Sequence, residues 1–149
     1  MLTWRPSELD DCDYLAKHIR KADLREITDV TGNTPLAAFV EGYNASLRPL
    51  TIMSDVPVGM AGAVPSGDSE ALVWLLGTNG IKTSRMSFIR QSKEVLQEIV
   101  APFDWVYNWV DKRNTLHLRW LRWMGFSFIS EIENFGVNKI TVYEFARVC

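Results

Sequence analysis

Only two cysteines stand in this chain, Cys12 and Cys149, one near each end and neither set at a metal-ligand spacing from a second Cys or His. That rules out a disulfide framework or a zinc cluster as the support of the fold, and it points to a reducing, cytosolic setting. No signal-peptide pattern follows Met1, and no apolar run approaches the ~18 residues that a membrane-spanning helix needs. Excess charge is also missing. With 16 Lys and Arg against 18 Asp and Glu, the net charge of −2 argues against broad binding to a phosphate backbone, so nucleic acid is not an expected partner. A basic strip at Arg113, Arg119 and Arg122 is read first as a solvated helix face. Histidine is scarce as well, with two residues, so few groups titrate unperturbed near neutrality. No repeat or linker-like stretch divides the chain.

What remains is the balance of one globular domain. At 149 residues, 47% hydrophobic and 23% charged, the chain can bury roughly two-thirds of its unfolded surface without metal or cross-links. Residues 2–5 form a short strand candidate stopped by Pro6. Ser7 is the expected cap of a helix over 7–20, with Leu9, Cys12, Leu15, Ala16 and Ile19 as its buried stripe. A second helix spans 23–30 and stops at Gly32, and Thr34-Pro35 opens a third. From Leu50 the period changes to that of strands, at 50–54, 58–64 and 71–76, separated by turn-forming sequences. Gly59 and Gly62 weaken the middle strand and are read first as an edge irregularity, with a bulge or the close approach of a ligand as the alternatives. A long helix is expected over 83–100, and a final hairpin joins 126–132 to 139–146.

The densest signal lies in 103–128, FDWVYNWVDKRNTLHLRWLRWMGFSF. A strand rich in β-branched and aromatic residues runs to Val110. Asn114 is placed to cap the helix that follows, and Gly125 supplies the left-handed residue that ends it. The turn Gly77-Thr78-Asn79-Gly80, with Lys82, Thr83 and Ser84 beyond it, lies between a strand and the long helix, where backbone N–H groups and a helix dipole can receive phosphate. A plain redirecting β-turn at residues 78–80 is the competing reading.

The spacing of Asn114, Gly125 and Phe126, with the order strand, helices, three strands, helix, strand, helix, two strands, resembles the GNAT (GCN5-related) N-acyltransferases. The Trp-rich texture around Asn114, His117 and Arg119 is also similar to the small GNAT-like internal virion proteins of T7-like podophages. The resemblance implies an α/β (α+β) fold with a mixed, mostly antiparallel sheet of about seven strands and helices on both faces. It implies acetyl-CoA as co-substrate, with Leu75, Leu76, Gly77, Thr78, Asn79, Gly80, Lys82, Thr83 and Asn114 on the cofactor side. The family's Arg-x-x-Gly-x-Gly/Ala signature cannot be laid over the 77–84 turn. Leu121 stands where many members carry the tyrosine that protonates the departing thiolate.

Amine acylation needs a proton acceptor, and His117, Asp111 and Glu70 are the titratable groups expected nearest the cleft. Six tryptophans are first read as core, with some facing outward as anchors for a protein partner. Two functions therefore stand open. One is a phage-encoded acyltransferase of the host cytoplasm, acting on a protein or small-molecule amine; the other is a GNAT-fold protein that has lost the chemistry and serves as a virion or host-interaction component.

Overall fold

The computed structural model describes residues 2–149. Thirteen elements follow in order: β1 (Thr3–Pro6), α1 (Leu9–Lys17), α2 (Lys21–Thr31), α3 (Pro35–Ala45), β2 (Leu50–Met53), β3 (Pro57–Pro65), β4 (Glu70–Gly77), α4 (Gly80–Thr83), α5 (Arg85–Val100), β5 (Trp105–Asp111), α6 (Thr115–Trp123), β6 (Ser127–Phe135) and β7 (Ile140–Val148). The seven strands form one sheet in the order β1-β2-β3-β4-β5-β7-β6, antiparallel everywhere except between β4 and β5.

Strand alternation builds a core on each face. Ala71, Val73 and Leu75 of β4 point toward α5 and pack with Phe88, Val95, Leu96 and Ile99. Burying each of those large side chains contributes about 1.5–3 kcal/mol. Trp74 and Leu76 point to the opposite face, against Phe39, Leu15 and Cys12 of α3 and α1.

The parallel pair decides the site. β4 and β5 are in register only at Glu70↔Trp105, Ala71↔Val106 and Leu72↔Tyr107, and beyond that they splay apart. At the fork the Asn108 side chain donates from Nδ2 to the Val73 carbonyl at 2.8 Å, replacing the next ladder bond. Further along, the gap is closed by a buried polar cluster. Arg20 N–H donates to Gly77 O (2.9 Å), Gly77 N–H donates to Asp23 Oδ2 (3.0 Å), and the Arg20 and Asp23 side chains pair at 2.9 Å.

Several local expectations are corrected. Ser7 does not cap α1: its hydroxyl bonds to Thr51, and the helix starts at Leu9 with Asp11 Oδ2 accepting from Glu8 N–H. Asn114 is not a side-chain cap either. Its backbone carbonyl accepts from Leu118 N–H, while its side chain joins the Arg20–Asp23 cluster through bonds of 3.2 and 3.3 Å. Asn114 is buried at 1% exposure beside this ion pair, and its amide oxygen and nitrogen serve Arg20 and Asp23 instead of a first-turn N–H. The 83–100 helix is preceded by the separate turn α4 and begins at Arg85. Gly59 and Gly62 lie in β3, an interior strand and not an edge; the bulge expected there is present beside Gly59, where the β2–β3 register shifts between Ile52 and Met53, while at Gly62 a Cβ would come within 2.5 Å of Ser46 Oγ, which accepts from Trp74 Nε1. None of the tryptophans is fully buried, and Trp105 and Trp123 are 38% and 43% exposed.

Other signals hold. Gly125 adopts φ 86°, with Phe126 N–H returning to Leu121 O, and Thr34 Oγ1 caps α3 by accepting from Ala37 N–H.

Candidate active site

Three cavities meet at the splay. On the α5/α6 face lies one of about 320 Å³, lined by Leu75, Ile81, Phe88, Ile89, Leu116, Trp120 and Trp123, with Lys82, Arg85 and Arg119 supplying cations. Arg85 stacks its guanidinium over the Trp123 ring at 5.7 Å. On the opposite face a cavity of about 530 Å³ lies between α2, α3, β4 and β5, lined by Trp74, Trp109, Phe135 and Val30, with Glu26 and Glu41. A narrower space of about 80 Å³ lies beside the splay, bounded in part by the core residues Val95, Leu96, Ile99, Phe126 and Phe145. It shares Leu75, His117 and Trp120 with the first cavity and Glu26, Trp74, Asn108 and Trp109 with the second.

Backbone polarity follows from alternation. Val73 and Gly77 turn their carbonyls toward the gap, where Asn108 and Arg20 use them, and Thr78 turns back to Val58 on β3. Leu75 therefore directs its N–H and C=O into the splay between the Asn108 bond and the Arg20–Asp23 cluster, while Leu76 faces β3.

Of the candidate residues, His117 lines both the narrow space and the α5/α6 cavity. Desolvation holds its imidazole below the ordinary histidine value, reinforced by Arg20 and opposed by Asp23, so it is neutral at pH 7. Its ring meets Trp120 edge-on at 5.5 Å. Asp111 is buried nearby, but its carboxylate is engaged by Arg113, with Nη2 at 2.7 Å. Glu70 is remote: it starts β4 at the closed end of the fork, seven positions from Gly77, or ~23 Å along an extended strand. Thr78 donates its hydroxyl to Val58 O and accepts from Gly80 N–H at 3.2 Å, and Thr83 bonds back to Gly80 O. The glycine turn is thus largely satisfied internally. Asn79 and Lys82 instead join Lys21, Arg25 and Arg20 around an open cationic recess with no carboxylate on its wall. Leu121 is packed in the core at 1% exposure.

One group went unnoticed in the sequence. Glu26, on α2, reaches under the splay and accepts from Asp111 N–H at 2.7 Å. Burial pushes its carboxyl up to about 7, helped by the nearby Asp23 and Asp111 charges and opposed by the Asp111 N–H bond. In the sequence it is one more charge on an amphipathic helix; only the pairing of α2 with the end of β5 desolvates it.

No family model matches the sequence, and no curated protein sequence matches it. Solved structures do. An acetyltransferase of the GNAT family from Streptococcus pneumoniae superposes with TM-score 0.70 at 12% identity, covering 100% of both chains. Aminoglycoside 6'-acetyltransferase type Ii gives 0.75 at 14%, covering 98% of this chain and 96% of that one. YncA from Salmonella typhimurium, solved with its cofactor acetyl-CoA, gives 0.74 at 12%, covering 99% and 94%. The chain has the GNAT acyltransferase fold, a mixed and mostly antiparallel seven-stranded sheet.

Proposed function

We propose that this chain is an acetyl-CoA-dependent N-acyltransferase that takes its thioester from the α5/α6 face and its amine from the face of α2 and α3. The observation that carries this reading is that Glu26 and His117 line one space at the β4–β5 splay whose walls are shared with a cavity bearing Lys82, Arg85 and Arg119 on one face and a cavity bearing Glu26 and Glu41 on the other. A polyanionic cofactor suits the first; an ammonium suits the second.

The residues present fit coenzyme A in a modified form. Leu75 offers the one strand amide left facing the gap, which suits a pantetheine or thioester carbonyl. Gly77 is already engaged, and the Gly80 N–H is taken by Thr78. The phosphates therefore fall to side-chain charge, Lys82, Arg85 and Arg119 with Lys21 and Arg25 along the rim, rather than to a glycine nest. Bound there, the thioester supplies an activated acyl carbon and a thiolate leaving group.

Glu26 receives the ammonium proton, since a carboxyl poised near 7 is matched to the operating pH. The freed lone pair attacks the acyl carbon, the C–S bond breaks, and the second nitrogen proton must reach the departing sulfur. Neutral His117 takes that proton and passes it on, the part that Leu121 cannot play.

A second reading keeps the fold and drops the chemistry, with the chain acting as a virion or host-interaction component. It is favoured by Leu121 lying in the core, by the engaged Gly77 backbone, and by exposed Trp105 stacked on Tyr107 at 4.9 Å as a ready anchor for a partner protein. Calorimetric titration with acetyl-CoA, followed by thiol release in the presence of an amine panel, separates the two. Saturable binding with amine-dependent thiol release sustains the enzyme, and no binding ends it.

A further inference from the structure

The cavity on the α2/α3 face carries more information than its charge. Its wall is aromatic and branched: Trp109 meets Phe135 with ring centroids 5.4 Å apart, and Trp74, Val30 and Leu72 complete the apolar lining. Among the described residues no Lys, Arg or His lines it, and Glu26 and Glu41 are its charged groups. At about 530 Å³ it falls in the range of small-molecule sites, about 300–1,000 Å³.

The β6–β7 turn after Phe135 packs on α2 beside the cavity, without joining its lining. It is fastened to α2, with Val137 N–H donating to Val30 O (3.1 Å), Asn138 N–H to Asp29 O (2.9 Å) and Asn138 Nδ2 to Asp29 Oδ1 (2.9 Å). Gly136 sits so close that a Cβ there would lie 2.6 Å from Val30 Cα, and its φ of 76° favours glycine independently.

The geometry points to a small primary amine on an aromatic or branched apolar body as the acceptor, a class set by the Trp109–Phe135 wall, the cavity's size and the two carboxylates in its lining. This rests on the acyltransferase reading for the reaction itself, but the amine site stands on its own lining. The apolar body packs on the Trp74 and Trp109 rings, whose faces also attract a cation, and the ammonium lies toward Glu26 at the mouth of the splay. On transfer, one ammonium proton goes to Glu26, nitrogen bonds to the acyl carbon as the carbon–sulfur bond breaks, and the remaining surplus proton leaves with the thiolate.

The test is a set of calorimetric titrations of the purified full chain, without acetyl-CoA, using phenethylamine, its isosteric anion phenylpropionate, spermidine, and a short peptide with a free amino terminus. Phenethylamine is expected to bind roughly ten-fold tighter than the other three, a difference that cation attraction and ring burial together supply. Trp109→Leu, which keeps bulk and loses the π face, and Glu26→Gln should each weaken it several-fold, with circular dichroism melts confirming the fold. If spermidine or the peptide binds as tightly, if phenylpropionate does, or if neither substitution changes phenethylamine affinity, the inference is overturned. Acetyl-CoA binding is measured separately. Transfer to a polyamine or peptide without phenethylamine binding sinks the inference and leaves the acyltransferase reading intact; amine binding with no acetyl-CoA binding does the reverse.

Discussion

Glu26→Gln separates the desolvation of this carboxyl from its chemistry. Its carboxyl is raised to about 7 from an ordinary 4.5, so the native state disfavours the charged form. The sign follows from linkage. A carboxyl raised on folding costs no stability at a pH below 4.5, where both states are protonated, and the penalty grows as pH rises from 4.5 to 7 and stays constant above. The difference, 7 − 4.5, is 2.5 pH units, a ceiling of about 3 kcal/mol. Because part of the side chain faces a solvent-accessible cavity, about 1–2 kcal/mol is the better expectation. Glutamine keeps an oxygen for the Asp111 N–H and carries no charge. The variant should therefore match the parent at pH 4.5 and exceed it at pH 8 by about 1–2 kcal/mol, or ~2–6 °C in melting temperature for a chain of this size. Thiol release should fall ~10²–10⁴-fold, and the parent's rise in rate through pH 7 should vanish from the variant. Thermal melts at the two pH values and a thiol-reactive dye assay across pH 5.5–8.5 give both readouts. An equal stability difference at both pH values would refute the desolvation, and an unchanged pH–rate profile would refute the base.

The cationic recess predicts that Lys82→Ala combined with Arg25→Ala weakens acetyl-CoA binding about ten-fold at low salt and flattens its salt dependence, because exposed charges act through a screened field; calorimetry at two ionic strengths checks it, and an unchanged slope removes these residues from the site. Asn114→Ala should cost about 1–3 kcal/mol in chemical denaturation, since it strips partners from the buried Arg20–Asp23 pair; a loss under 0.5 kcal/mol would show that the cluster re-satisfies itself. Leu121→Tyr should destabilise by about 1–3 kcal/mol without raising turnover, because the side chain is already in the packed core; a stable variant with faster thiol release would place Leu121 on the cleft instead.

The sequence carried the periodic and capping information directly. The change from helical to strand rhythm at Leu50, the left-handed stops at Gly32 and Gly125, and the Thr34-Pro35 start are written in residues whose backbone preferences act within a few positions, and each appears where those preferences place it. The position of His117 in the first turn of α6 was legible too, because the start of that helix is marked in the sequence. Tertiary structure decided the rest. Whether Asn114 caps a helix or serves a buried ion pair depends on Arg20 and Asp23, more than ninety positions away in the chain. The glycine turn looked like a phosphate nest until Thr78 was found satisfying it from within. Glu26 had no signal of its own, since an acid on an amphipathic helix is ordinary until α2 is laid across the end of β5 and water is removed from around it. Local sequence fixes backbone geometry because its determinants are short-range; the charge and solvation of a site are set by what the fold brings against it from elsewhere.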